Sequence, residues 1–325
     1  MTSDSWNEGH LHHALAAVVM LLATAFAWHS NPLLLERPAL RRGATIVPSF
    51  QTTGPVRDAT GANVPRGHYQ RIVVMDGIDH LLWLIPAGSI VGVGDWPVDH
   101  SLEGWRIADR PRISDRHQIE RILACHPDLV VTCSMGNPEL REDIASLRSV
   151  GVTVFDLSYT VTFQDLLGQI TCLSAVLEIP ERGAGLRRAL QYRCDLLRTP
   201  PQNVEFPRRG MFICTWENRV AVAGDDDIFD DIVTGAGLRN AGAEAGLHLS
   251  PVISLERALN MDPQEMVTRP RNRPALIALP GIDSLVRSGK VKLSCIPEPF
   301  IGSAAPLDFV DTVESIHDHV YSHQP

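Results

Sequence analysis

Short apolar runs and helical patterns alternate along most of the chain. Arg71-Ile72-Val73-Val74-Met75 predicts a buried strand, Asp76-Gly77 a turn, and His80-Leu81-Leu82-Trp83-Leu84 the opening of a helix. Ile90-Val91-Gly92-Val93-Gly94, Leu129-Val130-Val131-Thr132-Cys133 and Val152-Thr153-Val154-Phe155 predict further strands, with a helix from Glu139 to Val150 stopped by Gly151. From Thr162 the pattern turns helical. One helix runs to Leu177 and another from Pro180 to Leu197, closed by Thr199-Pro200-Pro201. A helix of this second length is about 27 Å long, enough to join two lobes as a stiff rod. Strand signals resume at Gly210-Met211-Phe212-Ile213-Cys214. Trp216-Glu217-Asn218-Arg219 reads as a loop, Asp225 to Thr234 as a helix, Ala275-Leu276-Ile277-Ala278-Leu279 and Val291-Lys292-Leu293 as strands, and Asp308 to Tyr321 as a final helix. Such alternation implies largely parallel sheets with helices on both faces.

Two stretches echo each other across this layout. Ile119-Glu120-Arg121-Ile122-Leu123-Ala124-Cys125-His126-Pro127 is matched by Leu255-Glu256-Arg257-Ala258-Leu259-Asn260-Met261-Asp262-Pro263. Each has an acid followed by Arg, then Leu, then Pro at the same spacing, and each leads into an apolar run. Both read as a short helix stopped by Pro and followed by an extended segment. The copies lie about 136 residues apart, too far for a solenoid repeat and right for one unit in each of two related lobes.

Composition narrows the function classes. The chain has 325 residues, 44% of them hydrophobic, enough for two cores, and its formal net charge of -9 argues against non-specific nucleic-acid binding. Near the start, Ala14 to Trp28 forms an apolar run about 22 Å long, short of a membrane span but right for a signal peptide, with Ala25-Phe26-Ala27 as a cleavage site. No Lys or Arg precedes it, which leaves an uncleaved anchor or a misplaced start codon as the alternatives. The expected boundaries are a signal peptide over 1–27, a leader over 28–67, an N-terminal α/β lobe over 68–160, a helical span over 161–200 and a C-terminal α/β lobe over 201–325. The six cysteines contain no C-x-x-C, so a zinc ribbon or thioredoxin-type site is disfavoured; in an exported chain they have about 15 possible full pairings among which sequence does not choose, while several sit in apolar runs where a free thiol packs as a small hydrophobe. G-x-G-x-x-G, P-loop and G-x-S-x-G signatures are missing, so an enzyme reading lacks its parts.

The ordered set formed by Arg71-Ile72-Val73, Ile90-Val91-Gly92-Val93, the first echoed unit with Pro127-Asp128-Leu129-Val130, Gly151-Val152-Thr153-Val154, Ala236-Gly237-Leu238-Arg239-Asn240, Ser254-Leu255-Glu256 and Pro306-Leu307-Asp308 resembles the periplasmic substrate-binding proteins of ABC importers for ferric siderophores, haem or cobalamin. The resemblance covers residues 70–325. It implies two α/β lobes joined by a long rigid helix, with the ligand held between them and little closure on binding. It further implies that Glu120 and Glu256 pair with arginines of a membrane permease, one acid on each subunit. By position it places Trp96, Ser134, Met135, Tyr159, Trp216, Arg219 and His248 in loops facing the ligand. The implied protein is a periplasmic monomer with no intrinsic cofactor, whose ligand is a metal complex and whose partner is the permease and ATPase complex.

Two departures from that pattern stand out: His80 replaces the usual Glu of the first helix, and Ala304-Ala305 replaces a Ser/Pro-Arg pattern. The cleft candidates lack the aromatic cluster expected for cobalamin, which favours a siderophore or another metal complex. A binder of a metal oxyanion or free metal on the same fold, with Arg116 and Arg219 supplying charge-assisted bonds, is the alternative, and an α/β enzyme a more remote one. His317, His319 and His323 near the C-terminus fall on different helix faces and read as solvated.

Overall fold

A computed structural model describes most of the chain from Gly54 to Tyr321; residues 1–53, 76–80, 83, 95–106, 114–118, 134–137, 158–161, 200–206, 217–218, 297–305 and 322–325 lie outside the described residues. The strands are β1 (Val56–Arg57), β2 (Asn63–Val64), β3 (Ile72–Val74), β4 (Ile90–Gly94), β5 (Arg112–Ile113), β6 (Leu129–Thr132), β7 (Val154–Asp156), β8 (Arg209–Trp216), β9 (Arg219–Val222), β10 (Arg239–Asn240), β11 (Val252–Ile253), β12 (Glu265–Thr268) and β13 (Lys292–Cys295). The α-helices are α1 (Ile119–Ala124), α2 (Pro138–Ser149), α3 (Phe163–Val176), α4 (Pro180–Arg198), α5 (Ile228–Gly235), α6 (Ala241–Glu244), α7 (Leu255–Leu259), α8 (Arg273–Ile277), α9 (Ile282–Arg287) and α10 (Pro306–Tyr321).

The fold is α/β, with one sheet in each half. The first is parallel throughout, in the order β5-β4-β3-β6-β7. Its central strands β3 and β6 are buried on both faces, which is why they read as continuous apolar runs without alternation. In the second, β8, β10, β12 and β13 are parallel, but β9 pairs antiparallel with β8, and β11 in turn pairs antiparallel with β9.

Between the halves, α3 and α4 are joined by the turn Leu177-Glu178-Ile179, with Glu178 at φ 55. Thr162 and Asp165 form a reciprocal capping box at the start of α3, and Pro180 occupies the first turn of α4, where its missing N–H costs nothing. The helices cross closely at Gly183, where an added Cβ would lie 2.2 Å from Ser174 Oγ. The 19-residue α4 is about 28 Å long and packs on α5 and α10 of the second half, while α3 packs on β1 of the first. Phe163 at the start of α3 reaches the second half: its ring stacks on Phe309 with centroids 4.7 Å apart, and its N–H donates to Asp231 Oδ2 at 2.6 Å. One apolar cluster accordingly runs from β3 and β6 through α3 and α4 to α5 and α10.

Four segments depart from the sequence expectations. Residues 54–67, read as part of an aperiodic leader, contain the antiparallel β1–β2 pair and are tied to the first half through Asp58. The Asp58 side chain is fully buried; it pairs with Arg148 of α2 and accepts N–H bonds from Thr60, Ala62 and Asp156. Where a helix was expected to open at His80, Leu81 is 3-10 helical and Leu82, Leu84 and Ile85 lie in turns and a bend, held by the bonds Leu84 N–H to Leu81 O and Ile85 N–H to Leu82 O; His80 and Trp83 lie outside the described residues. The run Ala275–Leu279, expected as a strand, lies largely in α8, because a short apolar run cannot by itself separate strand from buried helix and Pro274 fits the first turn. Trp216 and Arg219, expected in a loop, close the β8–β9 ladder as a cross-strand pair, with only residues 217–218 between them.

Candidate functional site

The echoed sequence units become matched structural units. In both, the short helix (α1 or α7) places its acid, Glu120 or Glu256, as its second residue and exposes it to solvent. In both, the residue before Pro adopts a left-handed conformation, His126 at φ 47 and Asp262 at φ 51, which reverses the chain into the next strand. The backbone bonds agree as well: His126 N–H to Leu123 O and Asp262 N–H to Leu259 O close the helices at equivalent places.

Entry into the strands is also matched. β6 pairs with β3 from Ile72↔Leu129, and β12 pairs with β8 from Gly210↔Glu265. One residue before each strand, Asp128 accepts from the Gln70 and Arg71 N–H groups and Gln264 accepts from the Arg209 N–H. Glu120 and Glu256 therefore occupy equivalent positions on two copies of one strand–helix–strand device.

The carboxyl ends of parallel strands are where open α/β sheets bind ligands. Of the residues the sequence placed there, Trp96, Ser134, Met135 and Tyr159 lie outside the described residues, as do His80, Arg116 and Ala304-Ala305. Trp216 and Arg219 end β8 and begin β9, and Arg219 is exposed. His248 is exposed and its backbone is held on both sides: the Asp225 N–H donates to Leu247 O and Asp225 O accepts from the Leu249 N–H, and Gly224 is needed because a Cβ there would lie 2.0 Å from Leu247 O. The same contacts bring Asp225 Oδ1 to 2.8 Å and Asp226 Oδ2 to 3.7 Å from His248 Nδ1. These three exposed side chains hold their ligand atoms within 4.8 Å of one another, a grouping in space that the sequence reading did not make.

Acidic groups continue inward from that loop. Asp227 caps α5 by accepting from the Phe229 N–H and also accepts from Ser250. Asp230 accepts from Asn240 Nδ2 at 2.8 Å. Burial raises the carboxyls of Asp230 and Asp231 above the usual range, against the lowering effect of the bonds from Asn240 and the Phe163 N–H. At the end of β12, Arg269 lies over the Phe229 ring, 5.2 Å from its centroid, and Phe229 stacks on Phe212. Sequence reading missed Arg269, whose only signal was its place just after a strand. None of the six cysteines is disulfide-bonded; burial raises five of the thiols, Cys194 to about 12, which leaves them poor nucleophiles at neutral pH.

Two α/β halves with matched units, bridged by a helical span, define a two-lobe binding-protein fold. The chain belongs to the periplasmic binding protein family, whose model matches residues 81–287. Among curated proteins it is similar to the vitamin B12-binding protein of Vibrio cholerae (strain O395), 34% identical over 105 residues, which are 32% of this chain and 35% of that one. It also matches the vitamin B12-binding protein of Vibrio parahaemolyticus, 24% identical over 46% of this chain and 53% of that one. The chain thus spans about a third to a half of the length of these curated relatives. Its fold is shared by the periplasmic haem-binding protein HutB of Vibrio cholerae (TM-score 0.62, 18% identity, 78% of this chain and 99% of that one). The periplasmic haem-binding protein RhuT of Roseiflexus sp. RS-1 is similar too (TM-score 0.59, 19% identity, 78% and 99%). Among the described residues no helix is long and apolar enough to cross a membrane.

Proposed function

We propose that this protein is the periplasmic solute-binding component of an ABC importer, capturing a metal chelate between its two lobes and handing it to the membrane permease and its ATPase. The observation that carries the reading is the matched pair of units: two exposed carboxylates, each on the second residue of an equivalent helix, one in each half. Such a pair suits a partner with two equivalent subunits, because the same contact is made twice and fixes orientation. Glu120 and Glu256 are the docking acids in this reading, and arginines of the permease their counterparts. The names of the similar proteins support a tetrapyrrole-type chelate, haem or cobalamin, and a ferric siderophore remains in the same class. Trp96, Ser134, Met135, Tyr159, Trp216, Arg219 and His248 are the proposed ligand contacts.

Equilibrium dialysis against haem, cobalamin and a panel of ferric siderophores tests capture, with micromolar retention of one class expected. Retention of none would overturn the reading. A second reading, a free-metal binder on the same fold, is favoured by the Asp225–Asp226–His248 grouping alone. Retention of a bare divalent cation without chelator, lost in His248→Ala, would select it.

A further inference from the structure

The carboxyl end of the second sheet gathers positive charge on a single turn. Arg269, Arg271 and Arg273 occupy alternate positions of the run Arg269-Pro270-Arg271-Asn272-Arg273-Pro274, directly after β12. Pro270 starts a 3-10 turn and Pro274 lies in the first turn of α8, places where a missing N–H costs nothing. Arg269 O closes the turn by accepting from the N–H groups of Asn272 and Arg273. Three guanidiniums are thereby carried by five residues at the end where open α/β sheets take ligands.

Their surroundings place them across several strands. Arg269 is half-buried with its guanidinium 5.2 Å from the Phe229 ring centroid, and Phe229 stacks on the buried Phe212 at 3.7 Å and 5°. An arginine backed by two stacked rings keeps its fork of donors in one place, where a mobile side chain would lose entropy on binding. Burial raises the Cys214 thiol of β8, and the charges of Arg269 and Arg271 oppose that rise, so both guanidiniums act at the neighbouring strand. Arg273 likewise opposes the rise that burial causes at Cys295, the last residue of β13. Arg271 and Arg273 are exposed and form no ion pair among the described residues.

The acids near this turn are engaged elsewhere. Asp227, which acts on Cys214 in the opposite sense, caps α5 and accepts from Ser250, while Asp225 and Asp226 bracket His248. A ligand reaching the end of β12 therefore meets Arg271 and Arg273 beside a preorganised Arg269. Carboxylates suit such a surface, because guanidinium donates to both of their oxygens in charge-assisted bonds. An amide of the same shape brings neither the charge nor the second acceptor oxygen.

We infer that the arginine turn selects the cargo by charge: the protein takes an iron chelate with carboxylates at its rim and discriminates against an uncharged corrinoid rimmed by amides. The inference rests on the transport reading and narrows its ligand class. Haem and a ferric hydroxycarboxylate share the required chemistry.

Equilibrium dialysis of the full chain against haem, ferric citrate and cyanocobalamin tests the selection. Haem or ferric citrate is expected to be retained at least tenfold more tightly than cyanocobalamin, with an affinity that falls as salt is raised. Arg271→Gln combined with Arg273→Gln should weaken the retained chelate by about tenfold or more, the loss of at least one charge-assisted bond, at an unchanged melting midpoint because both side chains are exposed. Arg269→Lys, which keeps the charge and loses the planar fork, should weaken it as well. Lys290→Gln, an exposed cation at the opposite end of β13, should leave it unchanged. Retention of one iron chelate and not the other supports the inference and names the source. Cyanocobalamin retained as tightly as the iron chelates, or a retained iron chelate indifferent to the arginine variants, overturns the inference alone. Retention of none of the three overturns the transport reading and the inference with it.

Discussion

Glu265 is the residue whose replacement the structure predicts most sharply. It opens β12, is 0% exposed, and uses Oε1 to accept from Ser294 Oγ, while Oε2 has no hydrogen-bond partner. Its counterpart in the first half, by strand register, is Leu129, equally buried. The expected effect of Glu265→Leu follows from three contributions. Removing a buried oxygen without a partner relieves about 1–3 kcal/mol, and losing the Ser294 bond costs about 1 kcal/mol. Burying a leucine contributes up to about 2 kcal/mol, less whatever the site must shift to admit it. The net expectation is a gain of about 1–3 kcal/mol near pH 8, or roughly 2–4 °C in melting midpoint per kcal/mol.

The pH dependence carries the diagnostic sign. Burial raises the Glu265 carboxyl above the usual range, opposed by the Ser294 bond and by the charges of His319, Lys292 and Arg208. A raised folded-state value means the acid contributes stability that is full below the ordinary carboxylate value and is lost as pH rises through the folded value. Glu265→Leu should therefore gain little at pH 4 and most at pH 8, and Glu265→Gln should flatten the same slope. Urea unfolding across that range measures both. A Glu265→Leu protein less stable than the parent at pH 8, or a Glu265→Gln protein with the parental slope, would refute the reasoning.

Other perturbations have equally definite outcomes. Arg148→Ala strands the buried Asp58 carboxylate and should cost about 3–5 kcal/mol, read as a lowered urea midpoint and early proteolysis of the 54–67 segment. Gly183→Val forces α3 and α4 apart at Ser174 and should lose more than about 2 kcal/mol, whereas Gly168→Ala, with open space around it, should be neutral or stabilising on the same assay. Cys194, pushed up to about 12, should resist alkylation at pH 8 in the native state and react only on unfolding. Glu120→Arg combined with Glu256→Arg should leave chelate affinity intact and abolish uptake by cells carrying the importer; undiminished uptake would remove the docking role.

The repeat was legible in sequence because it is written in local rules: an acid and apolar residues at helical spacing, a stop before Pro, and a β-rich run afterwards. These rules act within a few residues, so they survive without knowledge of what packs where. The parallel strands β3, β6, β8 and β12 and the helices α3, α4 and α10 were readable for the same reason. The strands are short continuous apolar runs and the helices carry apolar residues at helical spacing, both signals that lie within the segment itself.

What the chain order concealed depends on contacts between distant segments. The β1–β2 strap looks like an aperiodic leader until Arg148, some 90 positions away in sequence, neutralises Asp58. Asp225, Asp226 and His248 are ordinary loop residues until Gly224 lets two backbones touch, and Gly168 is a poor helix residue until the space beside it is seen. The echo of Glu120 and Glu256 was determined by sequence alone. That the two units also share a left-handed turn before Pro and the same strand entry was decided only in three dimensions, because backbone reversal and strand register are set by which neighbour each strand finds.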